Sequence, residues 1–198
     1  TSPTNMGLSL LANLAAYDFG YISTGQLVER TTNTLRSMET LERYAGHFYN
    51  WYDTQTKAPL TRYVSTVDSG NLAGHLLTLR AGLLEIIDTP VIREQVFLGL
   101  GETFRILQEE AGSAAVPSLA QFEQALVNAM GVRPTTIASA RADLDWLASC
   151  SRDILRELSG QPSATAGSES IEWAQALNRQ CESALSELID LLPQNLLT

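Results

Sequence analysis

The stretch TNMGLSLLANLAAYDFG, residues 4–20, decides the fold class because its apolar residues follow the period of a helix. They recur at steps of three and four residues, which place them on one helical face: Leu8, Leu11, Ala12, Ala15 and Phe19. Thr4 is placed to cap the start of this helix, and Gly20 is placed to end it. The sequence therefore predicts a helix between Thr4 and Gly20.

The same helical period recurs along the rest of the chain. Further helices are predicted over residues 23–44, 66–88, 90–112, 118–131, 134–158 and 171–188. No stretch with the two-residue period of a strand competes with them, so the predicted fold class is all-α. Successive antiparallel helical hairpins are typical of a bundle, a solenoid or part of an (α/α) toroid.

Composition and charge narrow the range of functions. Hydrophobic residues make up 44% of the 198 residues and charged residues 18%, which is typical of a globular chain. The formal net charge is −9, with 13 Lys and Arg and no basic run. Because nucleic acids and anionic membrane surfaces both need clustered cations, neither partner is expected. A neutral ligand such as a sugar is compatible with this charge.

Neither membrane insertion nor a metal site is predicted. No apolar run is long enough to span a bilayer, and no signal peptide opens the chain. Because the chain starts TSPTN, without Met, we expect a soluble fragment of a larger protein. The two Cys are expected to be buried thiols, with a disulfide between them left open. With His47 and His75 as the only histidines and no Cys-x-x-Cys spacing, we expect no metal and no other cofactor.

The segment of residues 46–75 is the one place where the helical period breaks. It contains GHFYNWYDT, residues 46–54, then Tyr63, and then STVDSGN, residues 65–71, at the start of the third predicted helix. Trp and Tyr rings stack on the C–H face of a pyranose, while Asp, Asn and His side chains form hydrogen bonds with its hydroxyls. The segment is therefore predicted to bind a carbohydrate.

Structural roles are the alternative for the same residues. The aromatic side chains of residues 48–52 could anchor the loop to the core. Asp68 or Ser69 could cap the third helix, and His75 could be a core histidine. An ordinary connection between two helices is only a few residues long, however, so the segment as a whole favours a functional role.

This segment resembles the bacterial cyclic β-1,2-glucan synthases, a family of very large inner-membrane proteins. The resemblance rests on GHFYNWYDT, on YVSTVDSGNLAGH at residues 63–75, and on shorter stretches at residues 1–8, 18–20 and 41–43. It is dense over residues 1–80. From residue 89 onward it is only general, covering helical and acidic character and a late Trp-Ala-x-x-Leu at residues 173–177.

The resemblance implies an activity. The matched motifs are similar to the opening of the family's middle, glucoamylase-like region, an (α/α)6-type domain implicated in closing linear β-1,2-glucan into a ring. That reaction is an intramolecular transglycosylation, and retaining chemistry of this kind needs two carboxylates about 5 Å apart. Asp53 and Asp68 are the acidic candidates, and for both we favour substrate binding over catalysis.

On this interpretation the glucan cleft is lined by Asn5, His47, Tyr49, Asn50, Trp51, Asp53, Tyr63, Asp68, Ser69 and Asn71. These residues fall in a predicted glucan-binding part, residues 1–112. Residues 113–198 are predicted to be an additional helical segment with a flexible linker near residues 159–170.

The resemblance also implies partners and a location. The implied partners are β-1,2-glucan and other domains of the same large chain, which lies in the bacterial inner membrane. The isolated fragment is expected to be inactive. Two rival interpretations are a hydrolase or phosphorylase acting on another glucan, and a non-catalytic helical module that docks a neighbouring domain.

Overall fold

The computed structural model describes residues 1–90, 93–112, 116–131, 136–160 and 168–190. These ranges contain seven helices and one small sheet, so the predicted all-α fold class is confirmed. In chain order the elements are α1 (Pro3–Asp18), α2 (Thr24–Glu39), β1 (Arg43–Tyr44), β2 (His47–Phe48), α3 (Thr66–Ile86), α4 (Glu94–Ala111), α5 (Pro117–Gly131), α6 (Ile137–Ser159) and α7 (Ser168–Asp190). The (α/α)6 toroid stays a prediction.

The chain divides into two compact units. The first unit consists of Thr1–Tyr17 and Thr24–Thr89, and the second consists of Asp18–Ser23 with the described residues from Pro90 onward. The functional division at residues 112 and 113 stays a prediction. Helix α6 ends at Ser159 and α7 begins at Ser168. Most of the predicted linker near residues 159–170 lies between them, outside the described residues.

In the first unit, α1 buries a different face from the one predicted. Leu8 is 51% exposed and Phe19 is 66% exposed. The buried residues of α1 are Pro3, Met6, Gly7, Leu10, Leu14 and Tyr17. The predicted stripe was therefore wrong. The apolar residues of α1 lie on several sides of the helix, so the sequence period alone does not determine which side packs against the rest of the unit.

Contacts between α1 and α3 decide which face is buried. Gly7 leaves room for the imidazole of His75, and Gly82 leaves room for the side chain of Leu14. Both contacts advance in the same direction along the two helices, so α1 and α3 run parallel here. The start of α1 thereby lies near the start of α3, where the predicted site residues cluster.

The second unit has the larger core. The predicted apolar stripe of α4, namely Phe97, Leu100, Phe104 and Leu107, is fully buried and confirmed. The rings of Phe104 and Phe122 pack with centroids 4.8 Å apart. Helix α6 packs against α5 and α7, and α7 also packs against α4. Cys150 and Cys181 are buried thiols in this core, as predicted, and burial raises the pKa of Cys181 to about 12.

A hydrogen-bonded chain ties residues 18–23 into the second unit. Thr103 Oγ1 donates to Gln180 Oε1 at 2.8 Å, and Gln180 Nε2 donates to the carbonyl of Gly20 at 2.9 Å. Gly20 has a positive φ of 75°, which ends the helical path just after α1, as the sequence predicts. None of the helices in the described ranges is long and apolar enough to cross a membrane.

Replacing Gly7 by Ala is expected to destabilise the protein. A Cβ at residue 7 would lie 2.3 Å from His75 Nδ1 and 2.8 Å from His75 Cβ. Overpacking of this kind costs about 1–3 kcal/mol. The helical preference of Ala over Gly recovers at most about 1 kcal/mol of this. The midpoint of urea unfolding should therefore fall in Gly7→Ala.

Gly74→Ala is the matched control because Gly74 directly precedes His75 in α3. A Cβ there meets no atom within 4 Å. This variant should unfold at the same urea concentration as the wild type or at a higher one. Equal midpoints for Gly7→Ala and the wild type would contradict the α1–α3 contact.

Candidate functional site

A short β-hairpin follows α2 and begins the segment in which the helical period breaks. Tyr44 pairs with His47, so Ala45 and Gly46 form the turn, with φ values of 49° and 85°. Two positive φ angles are typical of the type I′ turn that suits two-residue hairpins. The sequence pattern does not predict this hairpin, because its strands are only two residues long and Ala-Gly is a weak signal for this turn.

Tyr52 anchors the rest of the loop to the hairpin. Its side chain is only 1% exposed. Its hydroxyl donates to the carbonyl of Glu42 and accepts from the backbone N–H of Tyr49, both at 2.7 Å. Burial raises the pKa of Tyr52. The ring of Tyr49 is also buried and lies 6.5 Å from that of Tyr52, centroid to centroid. These two tyrosines anchor the loop and offer little surface to a ligand.

Asp68 is the centre of a polar network that joins three parts of the first unit. Thr4 Oγ1, in α1, donates to Asp68 Oδ1 at 2.7 Å. Asn71 Nδ2 donates in turn to Thr4 Oγ1 at 3.1 Å. Ser65 is the N-cap of α3, and its Oγ accepts from the backbone N–H of Asp68 at 3.1 Å.

Asn50 extends this network to Trp51. Its amide is oriented by its neighbours: the nitrogen donates to Asp68 Oδ2 at 2.7 Å, and the oxygen accepts from Trp51 Nε1 at 3.3 Å. The backbone N–H of Asn50 donates to the carbonyl of Tyr63 at 2.7 Å. Trp51 and Tyr63 are 46% and 61% exposed. The network thus brings together five of the ten predicted site residues, among them the two exposed rings: Asn50, Trp51, Tyr63, Asp68 and Asn71.

The carboxyl group of Asp68 is held in its charged form. The hydrogen bond from Thr4 is the largest cause that lowers its pKa, followed by hydrogen bonding of the Ser65 side chain to the carboxyl group. Asp68 also lies in the first turn of α3, where a negative charge is favoured by the helix dipole. An ionised carboxylate only accepts hydrogen bonds, so at neutral pH Asp68 can bind hydroxyls but has no proton to give.

Asp53 belongs to a separate turn. Its Oδ1 accepts from the backbone N–H groups of Gln55 and Thr56, at 2.9 and 2.7 Å, and from the hydroxyl of Thr56 at 3.0 Å. The backbone bond from Thr56 is the largest cause that lowers the pKa of Asp53. Asp53 therefore stabilises its own loop in the manner of an Asx-turn, and it is not joined to the Asp68 network by any of the hydrogen bonds seen in the described residues.

A cleft of about 360 Å³ opens beside this turn. Its walls include Asn33, Ser37 and Met38 of α2, together with Tyr52 and Asp53 of the loop. Of the predicted site residues, only Asp53 lines this cleft.

The other predicted site residues lie around the network. His47 is exposed in the hairpin, and Asn5 is exposed in the first turns of α1. Ser69 is half-buried and donates its backbone N–H to the carbonyl of Ser65 at 3.0 Å. Thr4 is the residue that sequence reasoning placed only as a helix cap, although its hydroxyl contacts both Asp68 and Asn71. No group of metal-ligating side chains occurs in the ranges that the structure describes.

Asp68→Asn is expected to destabilise the protein at neutral pH. The new side chain keeps one acceptor oxygen and gains a nitrogen, so one of the two bonds to the Asp68 carboxylate, from Thr4 or from Asn50, is lost. Losing a charge-assisted hydrogen bond of this kind costs about 1–3 kcal/mol. Chemical denaturation at pH 7 measures this difference.

The same variant should change the pH dependence of stability. Because the folded pKa of Asp68 is lowered, its stabilisation is complete above the ordinary value of 3.8 and is lost as the pH falls through the folded value. The difference in the free energy of unfolding between the wild type and Asp68→Asn should therefore decrease below about pH 4. Asp88→Asn, an exposed position just after α3, removes the same charge as a control. A gap that stays constant down to pH 2 would refute this role.

Comparison with known proteins is consistent with the motifs. No protein-family profile matches the chain. The chain is 32% identical over 203 aligned positions to the cyclic β-(1,2)-glucan synthase NdvB of Rhizobium meliloti (strain 1021), and the alignment covers 94% of the chain. The chain spans 7% of the length of that synthase. The predicted resemblance is thereby confirmed, and the chain is related to a segment of the cyclic β-(1,2)-glucan synthases.

Proposed function

We propose that this chain binds β-1,2-glucan as part of a cyclic β-1,2-glucan synthase. It would contribute to the region that closes the linear glucan into a ring by intramolecular transglycosylation, within an (α/α)6-type domain. The observation that carries this proposal is the exposed indole of Trp51, whose N–H is bonded through Asn50 to Asp68. The relationship to the synthase supports the choice of glucan.

Trp51 has the properties of a platform for a sugar ring. Almost half of its surface is exposed, yet the Nε1–Asn50 bond restricts its orientation. A side chain ordered before binding loses little entropy when the ligand arrives. Tyr63 supplies a second exposed ring, and its carbonyl accepts from the backbone N–H of Asn50, the residue before Trp51. The exposed amide of Asn71 supplies hydrogen bonds for sugar hydroxyls.

We assign Asp68 to substrate positioning, Asp53 to ordering the loop that follows Trp51, and neither residue to proton transfer. A general acid in glycoside chemistry needs a raised pKa so that it keeps its proton at neutral pH. Hydrogen bonds lower the pKa of both residues instead. The acid/base carboxyl group of the transglycosylation would therefore lie elsewhere in the parent protein. Residues 1–112 would form the glucan-binding part, with residues 113–198 as an additional helical segment.

The parent protein sets the partners and the location in this proposal. The chain would pack against other domains of the same large polypeptide, in the bacterial inner membrane. Analysis of the products of the intact parent tests the reaction class. Ring-shaped glucan supports cyclisation, whereas shortened chains or sugar phosphate would support a hydrolase or a phosphorylase.

Trp51→Ala should weaken glucan binding without unfolding the chain. Loss of a stacking platform is expected to raise the Kd for linear β-1,2-glucan about tenfold, which corresponds to about 1.4 kcal/mol. Tyr63→Ala should weaken binding less, because Tyr63 donates no side-chain hydrogen bond to the network seen in the described residues. Isothermal titration calorimetry measures both, with circular dichroism to verify the fold.

Tyr44→Ala is the matched control for these variants. Tyr44 is an exposed aromatic residue of the same unit, at 65% exposure, but it lies in the hairpin and outside the Asp68 network. Its removal should leave the Kd unchanged. If Tyr44→Ala and Trp51→Ala weakened binding equally, the platform assignment would be wrong.

The isolated chain should bind glucan weakly and convert none of it. Neither candidate carboxyl has the raised pKa that an acid needs. Incubation with linear β-1,2-glucan, followed by mass spectrometry, should therefore return only the starting chains. Formation of rings or release of short oligosaccharides by this chain alone would overturn the assignment of Asp53 and Asp68.

An interaction module is the second candidate function, and one observation favours it. Leu60 donates its backbone N–H to the carbonyl of Trp51 at 2.8 Å and is 63% exposed, so two exposed apolar residues lie on paired segments of the loop. Such a pair could dock a neighbouring domain. Under this alternative, Trp51→Ala and Asp68→Ala would leave glucan titrations unchanged.

A further inference from the structure

A groove of about 490 Å³ lies between α5 and α6 in the second unit. It is separate from every residue discussed under the proposed function. Its lining residues come from two helices: Ala120, Gln121, Gln124, Ala125 and Asn128 from α5, and Ala142, Asp143 and Trp146 from α6.

The α5 wall of the groove presents a row of uncharged amides. Gln121, Gln124 and Asn128 follow one another at steps of three and four residues, which align side chains along one helical face. Gln124 Nε2 donates to Asn128 Oδ1 at 3.0 Å, so these two amides orient each other. Each amide offers both donors and an acceptor, the combination that pairs with a sugar hydroxyl.

The α6 wall adds an aromatic ring and a carboxylate. Trp146 is 58% exposed, whereas its neighbour Leu147 is completely buried in the core. Exposing a tryptophan forfeits the largest burial energy that a side chain can give, so core packing does not explain this residue. Asp143 lies three residues before it and faces the same groove.

We propose that this groove binds a neutral oligosaccharide, with Trp146 as the stacking platform and the α5 amides as hydroxyl partners. The choice of β-1,2-glucan as the ligand rests on the proposed function. The site itself rests on different residues, in the other unit. Its volume lies within the range of about 300–1,000 Å³ that is usual for ligand sites.

The lining residues favour a sugar over other ligands. The described residues that line the groove include no Lys or Arg. An anionic ligand would therefore meet a single charged side chain, Asp143, which has the same sign of charge. Apart from Trp146, the apolar lining consists of alanines. A partner helix needs larger apolar side chains at the centre of its docking site, and a stable protein interface buries about 800 Å² on each side.

Nuclear magnetic resonance of the indole groups tests this proposal on the whole chain. The chain has three tryptophans, so an ¹⁵N-labelled sample gives a small set of indole signals that Trp→Phe variants assign. Titration with a linear β-1,2-gluco-oligosaccharide should shift the Trp146 signal saturably. The same shift should persist in Trp51→Ala, which separates this groove from the first site.

Two variants of α5 sharpen the test. Gln124→Ala should weaken binding at Trp146 about fivefold, the loss expected for one uncharged hydrogen bond. Val127→Ala is the matched control, because Val127 lies on the same helix, is 58% exposed and does not line the groove. It should leave the binding curve unchanged.

The outcomes distinguish the two sites. A Trp146 signal that stays fixed while Trp51 shifts would overturn this proposal and leave the proposed function standing. If the Trp146 signal shifts while the Trp51 signal stays fixed, binding in the groove is supported and the proposed site at Trp51 is wrong. A Trp146 shift that depends on protein concentration without sugar would identify a second copy as the occupant and overturn the proposal.

Discussion

The carboxylate of Asp68 is the constraint on which the functional surface of the first unit depends. This carboxylate accepts from Thr4 of α1 and from Asn50 of the long connection. The backbone N–H of Asp68 donates to the side chain of Ser65, the cap residue of α3. One residue therefore stabilises the start of α3 through its backbone N–H, and its carboxylate bonds to α1 and to the loop. The contact between Gly7 and His75 brings α1 and α3 close enough for this arrangement.

The same bonds determine what this carboxylate can do. Hydrogen bonds to the charged form stabilise it, and the helix dipole acts in the same direction. A group held in this way is a permanent acceptor, so it can position Asn50 and, through Asn50, the indole of Trp51. Hydrogen bonds that begin in two helices thus restrict the orientation of an exposed ring. This restriction is the physical link between the fold and the proposed binding of a sugar.

The sequence predicted those parts of the structure that local periodicity determines. The stripe of α4 was right because its apolar residues occupy a single face, whereas α1 is apolar on several faces and its buried side depends on α3. Asn50, Trp51, Asp68 and Asn71 were singled out together, and they do meet. The contribution of Thr4 depends on a parallel packing of two helices that no local pattern indicates.

The role of Asp53 could not be predicted from the motif in which it lies. It lies in the same motif as Trp51, but its carboxylate is occupied by the amides of its own turn, and that turn is formed by residues that follow it directly. Composition does not distinguish an acid that orders a loop from one that orders a site; only the identity of the donors does.

Net charge explains why stacking and amide groups matter in both proposed sites. A chain of net charge −9 neither attracts nor repels a neutral sugar over long distances, so recognition has to come from short-range contacts. Trp173 is partly buried against the core of the second unit, as a structural tryptophan would be. Trp51 and Trp146 are instead 46% and 58% exposed, each next to uncharged amides. Both rings are therefore free to stack on a ligand, as the two proposals require.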